Sequence, residues 1–165
     1  MLLIVGALVF GLMIVEARRA ARNERAQRLR GGREPSGDVY NLMRAAYPTA
    51  FAVMLAESAI RGARTSIVVW AGAAVFACAK ALKWWAILTL GPSWTFRVIV
   101  IPGRPLVAHG PYRWMRHPNY LGVAGELVGV ALMTAATVTG PPATLFFLVL
   151  IGKRIAVEAR TLAAR

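Results

Sequence analysis

Five apolar stretches divide this chain, and the segments that separate them are crowded with arginine. The stretches are residues 1–15, 42–60, 66–90, 120–138 and a run that begins at Pro141–Pro142, stays apolar to Gly152 and continues amphipathically. None shows the period-two alternation of a half-buried strand. An open sheet cannot satisfy its backbone in lipid, so all five are predicted to be helices. The first is short for a span, since about 17–25 residues are typical. Its arginines follow it rather than precede it, the reverse of a cleaved secretory leader, so a retained helix is expected.

Composition supports a membrane class. The hydrophobic share is 58%, above the ~45–50% of soluble domains. A net charge of +13 is compatible with nucleic-acid binding, but a soluble nucleic-acid binder would not carry several apolar runs. The charge instead follows membrane topology. Arg18, Arg19, Arg22, Arg25, Arg28, Arg30, Arg33 and Arg44 cluster in and beside the first loop. Arg97, Arg104, Arg113 and Arg116 precede the fourth stretch, and Lys153, Arg154, Arg160 and Arg165 follow the fifth. Only Arg61 and Arg64 fall on the opposite side, while Lys80 and Lys83 sit within the third stretch. The positive-inside rule then predicts an N-terminus outside, a C-terminus in the cytoplasm and both large loops cytoplasmic. Ala, Arg, Val and Gly richness points to a bacterial chain and so to a bacterial cytoplasmic membrane. Residues 31–38 (GGREPSGD) read as a flexible turn region in the first loop. With Cys78 the single cysteine, and His109 and His117 the two histidines, neither a disulfide nor a metal site is expected.

The link between the fourth and fifth helices, Thr139 to Pro142, is too short for anything but an antiparallel hairpin. That hairpin returns Arg154 and Glu158 to the membrane face that bears His117. In the fourth helix Gly122, Gly125 and Gly129 place small residues on one face, where another helix can approach closely. Glu126 lies about two turns into this helix, and intramembrane carboxylates are costly and usually paired or functional. It is a candidate general base; pairing with Lys80 or Lys83 is the alternative. Glu57, nearer the outer face, reads as structural.

Residues 109–122 (HGPYRWMRHPNYLG) open the fourth helix. Arginine and aromatic residues at such a position ordinarily anchor a helix to the interface. The density of polar groups from His109 to Glu126 exceeds what anchoring needs. Arginine forks suit carboxylates and phosphates, and aromatic faces attract cations.

These residues resemble the isoprenylcysteine carboxyl methyltransferase family and its phospholipid methyltransferase relatives. The pattern G-x-Y-x-x-x-R-H-P-x-Y-x-G is met by Gly110, Tyr112, Arg116, His117, Pro118, Tyr120 and Gly122. Leu90, Gly91 and Trp94 resemble an upstream LGxxW, and Arg154, Ile155 and Glu158 resemble R-I-x-x-E-E, with Ala159 replacing the second glutamate. The resemblance covers roughly residues 90–165. It implies an S-adenosylmethionine-dependent enzyme whose cofactor-binding loop and helical hairpin in 91–165 form a cytoplasmic cofactor pocket; the apolar runs supply three N-terminal transmembrane helices in 1–90, and the whole is read as one domain over 1–165. On this resemblance His109, Gly110, Tyr112, His117, Pro118, Tyr120, Leu121, Gly122 and Glu158 line the cofactor pocket, and Arg116 and Arg154 orient the acceptor or the donor carboxylate. No GxGxxG fingerprint is present, in keeping with a pocket that is not of Rossmann type.

Methyl transfer from a sulfonium needs alignment and dryness more than acid–base work. The expected acceptor is an oxygen of a lipid-like or lipidated substrate: a prenylated cysteine carboxylate, a phenol or pyrone hydroxyl, or a fatty acid. Amine headgroups rank below these, since they favour acidic or aromatic pockets over arginine. Two other classes remain open: an NADPH-dependent sterol-type reductase, and a non-catalytic scaffold held to anionic lipid.

Overall fold

A computed structural model describes residues 2–62, 66–101, 103 and 105–163, so Arg64, Arg104 and Arg165 of the charge pattern lie outside the described residues. Five α-helices account for most of the chain: α1 (Leu2–Leu29), α2 (Tyr40–Arg61), α3 (Ile67–Leu90), α4 (Pro118–Met133) and α5 (Gly140–Ala163). Two short 3₁₀ turns, Gly91–Ser93 and Gly110–Arg113, lie in the long connection between α3 and α4. No named strand occurs among the described residues; one isolated antiparallel bridge joins Arg33 to Val100.

The helix expectations hold in number and order, with two corrections of extent. The first helix does not stop at residue 15 but continues through the arginine cluster to Leu29. Straight-chain arginines and alanines are good helix formers, so the charge that ends the apolar run need not end the helix. The fourth helix ends at Met133 rather than 138. Ala135 takes a left-handed φ of 49° and turns the chain, and α5 then begins at Gly140, before the proline pair. Pro141 and Pro142 therefore lie in the first turn, where the missing N–H groups cost no helical bond.

Only one of the described helices is by itself both long and apolar enough to cross a bilayer: α3 with its following turn, Ile67–Ser93, 27 residues. The others fall short for visible reasons. Helix α4 has 16 residues, about 24 Å at ~1.5 Å per residue, against a hydrocarbon core of ~30 Å. The remaining three each carry more ionic groups than the two lysines of α3, among them Glu16, Arg18 and Arg19 in α1, Arg44, Glu57 and Arg61 in α2, and Lys153, Arg154 and Glu158 in α5.

Helices α3 and α4 form the tightest pair, and glycine makes it possible. A Cβ at Gly129 would meet the Phe76 backbone nitrogen at 2.7 Å; one at Gly122 would meet the Lys83 Cβ at 2.8 Å; one at Gly125 would meet the Ala79 Cβ at 2.7 Å. The small face of α4 is thus the seat of α3, as its spacing predicts. Gly72 completes the seam from the α3 side, where an added Cβ would meet the Met133 backbone nitrogen at 2.6 Å. Around this pair Val9 of α1, Phe51 and Met54 of α2, Leu127 and Val130 of α4 and Phe147 and Leu150 of α5 build one apolar core. Large side chains such as Ile60, Trp70, Leu88, Leu145 and Phe146 stay exposed on the outside, more apolar surface than a soluble monomer usually shows.

The two ends of the bundle are fixed differently. At one end Glu57 accepts from the Val138 and Thr139 backbone N–H groups at 3.0 and 2.7 Å and from the Thr139 hydroxyl at 2.7 Å, tying α2 to the α4–α5 turn. This is the structural role expected of it. At the other end the basic half of α1 holds the long connection: the Asn23 amide donates to the Gly91 and Trp94 carbonyls, and the Gln27 amide to Pro92 and Ser93. The arginine-rich helix end and the loop that leads into α4 therefore share one face.

Candidate functional site

Pro118 starts α4, with His117 in the capping position and the His117 carbonyl accepting from the Tyr120 and Leu121 N–H groups. This local geometry sets the Tyr120 ring against the His117 ring, centroids 5.5 Å apart and planes 26° from parallel. The α4–α5 hairpin then brings in Arg154 and Glu158, as the short link predicts. The Tyr120 hydroxyl donates to Glu158 Oε1, and the Arg154 Nε–H donates to the Tyr120 oxygen at 2.8 Å. His117 Nδ1 lies 3.5 Å from Glu158 Oε2. Four residues separated by up to 41 positions, taken from both arms of the hairpin, form one polar chain.

Arg154 is buried, and its guanidinium serves several partners at once. Beyond Tyr120 it donates to the Phe96 carbonyl, meets Met43 Sδ at 3.8 Å and faces Asp38 Oδ1 at 3.7 Å. Asp38 in turn accepts from the Tyr40 N–H at 3.1 Å and the Val98 N–H at 3.2 Å. The fork thus ties α5 to the α1–α2 loop, to α2 and to the α3–α4 connection. That commitment leaves it as a positioning group rather than an open clamp for an incoming carboxylate.

A cavity of about 1030 Å³ runs along this chain of groups. Tyr112, Arg116, His117, Asn119, Tyr120, Arg154 and Glu158 contribute to its wall near the loop. Met13, Met43, Val123 and Phe147 make a more apolar stretch. Burial, with the nearby Glu158 carboxylate adding to it, pushes the Tyr112 phenol above its ordinary value, so it stays a protonated hydroxyl at neutral pH. Arg116 is exposed and takes part in no ion pair among the described residues.

Several expected site residues stand elsewhere. His109 is exposed and outside the cavity; its carbonyl accepts from the Tyr112 N–H at 3.2 Å to close the 3₁₀ turn. Gly110 has a φ of 58°, and a Cβ there would meet Thr89 Oγ1 at 2.6 Å, so it packs the loop on α3. Pro118 is buried in the helix start, Gly122 sits in the α3 seam, and Leu121 is 55% exposed on the outer surface. None of the five lines the cavity.

Glu126 stands in the ion-paired setting that is the alternative to its reading as a base. It is 1% exposed, with Lys80 Nζ at 2.8 Å from Oε2 and Lys83 Nζ at 3.2 Å from Oε1, and it accepts from the Tyr47 hydroxyl at 2.6 Å. The carboxylate is thus enclosed by two ammonium groups and a phenol. It does not line the cavity. The structure takes the ion-pair alternative and adds a partner: Glu16 of α1 meets Lys80 at 3.0 Å and Lys83 at 2.7 Å.

Sequence reasoning also passed over the contribution of α1 and α2. Tyr40, Met43, Arg44 and Tyr47 all face the cavity, and their spacing of three and four is the signature of one helical face. For Glu16 the signal was electrostatic: two lysines inside an apolar helix call for two carboxylates at the same depth.

With this geometry in view, the comparisons with known proteins are direct. Two curated bacterial relatives are similar over part of the chain. The uncharacterized protein YpbQ of Bacillus subtilis (strain 168) is 39% identical over 94 residues, 56% of this chain and 56% of that protein. An uncharacterized protein of Haemophilus influenzae (strain ATCC 51907 / DSM 11121 / KW20 / Rd) is 28% identical over 88 residues, 53% of this chain and 51% of that protein. The chain thus spans about half the length of the curated relatives it matches. No solved structure matches it. Residues 70–164, from within α3 to the end of α5, match the family described as the isoprenylcysteine carboxyl methyltransferase (ICMT) family, and they carry the hairpin and every member of the His117–Tyr120–Glu158–Arg154 chain; the protein belongs to that family.

Proposed function

We propose that this protein is an S-adenosylmethionine-dependent methyltransferase of the bacterial cytoplasmic membrane, acting on an oxygen of a lipid-like acceptor. The observation that carries the reading is the polar chain of His117, Tyr120, Glu158 and Arg154 on the wall of a cavity that also has an apolar stretch. All five helices lie in the membrane in this reading, with the arginine-rich end of α1 and the α3–α4 connection in the cytoplasm. The exposed apolar side chains around the bundle support that placement.

The residues present fit the cofactor. The volume is at the upper end of the ~300–1,000 Å³ usual for small-molecule sites. When bound, S-adenosylmethionine supplies an electrophilic methyl group on a sulfonium cation. The Tyr112 and Tyr120 rings and the Glu158 carboxylate offer that positive charge a favourable wall, and the His117 ring adds a flat face for stacking. Arg116, exposed and in no ion pair among the described residues, is placed to receive a carboxylate. Arg154 fixes Tyr120 and the loop rather than touching the reacting atoms. Such a wall lowers the barrier chiefly by alignment, holding reacting atoms ~3–3.5 Å apart in a site that excludes water.

Oxygen acceptors are favoured over amine headgroups because the cavity rim is cationic, with Arg44 and Arg116 both contributing. Family membership and the absence of a GxGxxG run argue for a methyl donor over a nicotinamide dinucleotide. The test is calorimetric titration of the detergent-solubilised protein with S-adenosylhomocysteine and, in parallel, NADPH. Saturable binding of the first, lost in His117→Ala, is expected. Binding of NADPH alone would move the reading to a reductase, and binding of neither by a folded sample would overturn it.

A further inference from the structure

Helix α1 has two faces that lead to different places. Its buried residues, Val9, Glu16, Ala20 and Gln27, mark the side turned to the protein, and Asn23 lies on that side. There the Asn23 amide donates to the Gly91 and Trp94 carbonyls at 3.0 and 2.7 Å, and the Gln27 amide to the Pro92 and Ser93 carbonyls at 3.1 and 3.0 Å. The turn so held reaches the site, because the Trp94 indole N–H donates to Asn119 Oδ1 at 3.2 Å, one residue before Tyr120. On the opposite face Ile14, Arg18, Arg22 and Arg25 follow one another at spacings of four, four and three, which makes one stripe. All four side chains are exposed. The stripe starts in the apolar run and turns cationic: Arg18 stands ~6 Å along the axis from Ile14, at ~1.5 Å per residue. None of the three arginines takes part in an ion pair among the described residues. The two carboxylates of α1 are committed elsewhere, Glu16 to Lys80 and Lys83, Glu24 to Arg28 and Arg97.

We propose that Arg18, Arg22 and Arg25 are a docking stripe for the phosphate groups of an anionic phospholipid surface, and that lipid seated there tightens the Gly91–Trp94 turn on the cavity wall. This goes beyond the methyltransferase reading, since the lipid acts from outside the cavity and is not the acceptor. Charge complementarity selects the partner. Like charges three and four residues apart destabilise a helix, and a layer of negative headgroups removes that cost while guanidinium forks receive phosphate oxygens. Continuity with Ile14 puts the stripe at the membrane surface rather than facing a soluble polyanion. The coupling follows from the two faces. Where the repulsion loosens the second half of α1, Asn23 and Gln27 release four carbonyls of the turn; where lipid steadies the helix, they hold them. The linkage is reciprocal, so lipid that favours the held turn also favours a ligand that needs it.

The full chain is reconstituted in nanodiscs of phosphatidylcholine alone and of phosphatidylcholine and phosphatidylglycerol in equal parts, and S-adenosylhomocysteine is titrated into each. Affinity should be about fivefold or more tighter with phosphatidylglycerol, the low end of coupling between two sites. The gain should vanish at high salt, where exposed charges are screened. The triple variant Arg18→Gln, Arg22→Gln, Arg25→Gln keeps good helix formers. It should bind S-adenosylhomocysteine alike in both discs, at the wild-type affinity in phosphatidylcholine. Hydrogen exchange of residues 16–29 and of the Gly91–Trp94 turn reads the same coupling without any cofactor: phosphatidylglycerol should slow it in the wild type and not in the variant. If the variant does not insert, the salt series on the wild type decides. Exchange that phosphatidylglycerol leaves unchanged or slows equally in the variant overturns the proposal, as does binding of S-adenosylhomocysteine with equal affinity to both wild-type discs. So does a gain that survives salt, or one that soluble glycerol phosphate reproduces in phosphatidylcholine discs. Exchange that responds as expected in a protein binding no S-adenosylhomocysteine would support the stripe and remove the methyltransferase reading instead.

Discussion

Arg154 and Tyr120 meet across the α4–α5 hairpin, the guanidinium Nε–H donating to the phenol oxygen at 2.8 Å while that phenol donates to Glu158. The direction of these bonds makes Tyr120 a relay between a cation and a carboxylate, and it fixes the ring that faces the cavity. The remaining nitrogens of Arg154 hold the Phe96 carbonyl and face Asp38. A lysine could serve one of these partners but not all, because its charge is a point on a flexible stem. Arg154→Lys should therefore weaken S-adenosylhomocysteine binding about tenfold and lower the melting temperature in detergent, each lost charge-assisted bond being worth ~1.5–3 kcal/mol. Calorimetry and a thermal scan on the same sample check both parts; wild-type affinity would show that Arg154 does not position the wall.

Glu126→Gln tests pairing against base catalysis. In the ion cluster its loss leaves two buried lysines facing a single carboxylate, and removing one partner of a buried ion pair typically costs ~3–5 kcal/mol. The variant should be strongly destabilised, with activity per folded molecule close to wild type. Adding Lys80→Met should recover much of the stability, since replacing both members removes the uncompensated charge. A stable Glu126→Gln protein with no turnover would restore the base.

The two histidines separate the cofactor wall from its scaffold. His117 stacks on Tyr120 and faces Glu158; His109 is exposed and contributes its backbone carbonyl to the turn. His117→Ala should reduce S-adenosylhomocysteine affinity about tenfold, in line with the loss of a stacking contact and a polar partner. His109→Ala should leave affinity and melting temperature unchanged. Equal losses in both would mean that the loop, not the ring, is what binding requires.

How far the sequence led follows from which interactions are local. The hairpin was legible because four residues between two apolar runs admit little else, and the juxtaposition of His117 with Glu158 came with it. The small face of α4 was legible as a contact, though not that α3 fills it. What remained hidden depended on pairing across the chain: Glu16 with Lys80 and Lys83, Asp38 with Arg154, and Asn23 and Gln27 with the Gly91–Trp94 carbonyls. Each joins residues more than 60 positions apart, and no periodicity encodes that. The motif also contains residues whose visible part is structural. Gly110, Pro118 and Gly122 belong to the pattern that marks the cofactor pocket, yet here they shape the backbone on which His117 and Tyr120 stand.

That shaping is open to direct measurement at Gly129, where an added Cβ would approach the Phe76 backbone nitrogen to 2.7 Å. A backbone atom of a neighbouring helix cannot swing aside as a side-chain tip can, so α3 and α4 must separate. Gly129→Ala should cost ~1–3 kcal/mol, the usual range for overpacking. Gly152→Ala, with nothing within 4 Å of its added Cβ, is the control and should be neutral or slightly stabilising through helix propensity. Melting of the two variants side by side in the same detergent gives the answer, and equal stability would mean that the α3–α4 seam is looser than its geometry.

The α1–α2 loop offers a pH-dependent test outside the helical bundle. Burial alone would raise the Glu34 carboxyl, but hydrogen bonds from Arg97 at 2.6 Å and Arg28 at 2.8 Å outweigh it and hold the group below its ordinary value. A carboxylate whose pKa is lowered on folding adds stability that is fully present above its unfolded value, ~4.3, and is lost as the pH falls through the lower folded value. Glu34 links Arg28 on α1 to Arg97 in the α3–α4 connection, beside the Arg33–Val100 bridge. Acidification below pH ~4 should therefore loosen this junction before the bundle unfolds, exposing residues 30–39 to proteolysis. At neutral pH the wild type should exceed Glu34→Gln in stability by ~0.2–1 kcal/mol, the range for ion pairs open to solvent. The difference should shrink as the carboxyl protonates. Protection of residues 30–39 against an acid-active protease, followed from pH 6 to pH 3 in both proteins, reads it; a gap that widens on acidification would reverse the sign and refute the assignment.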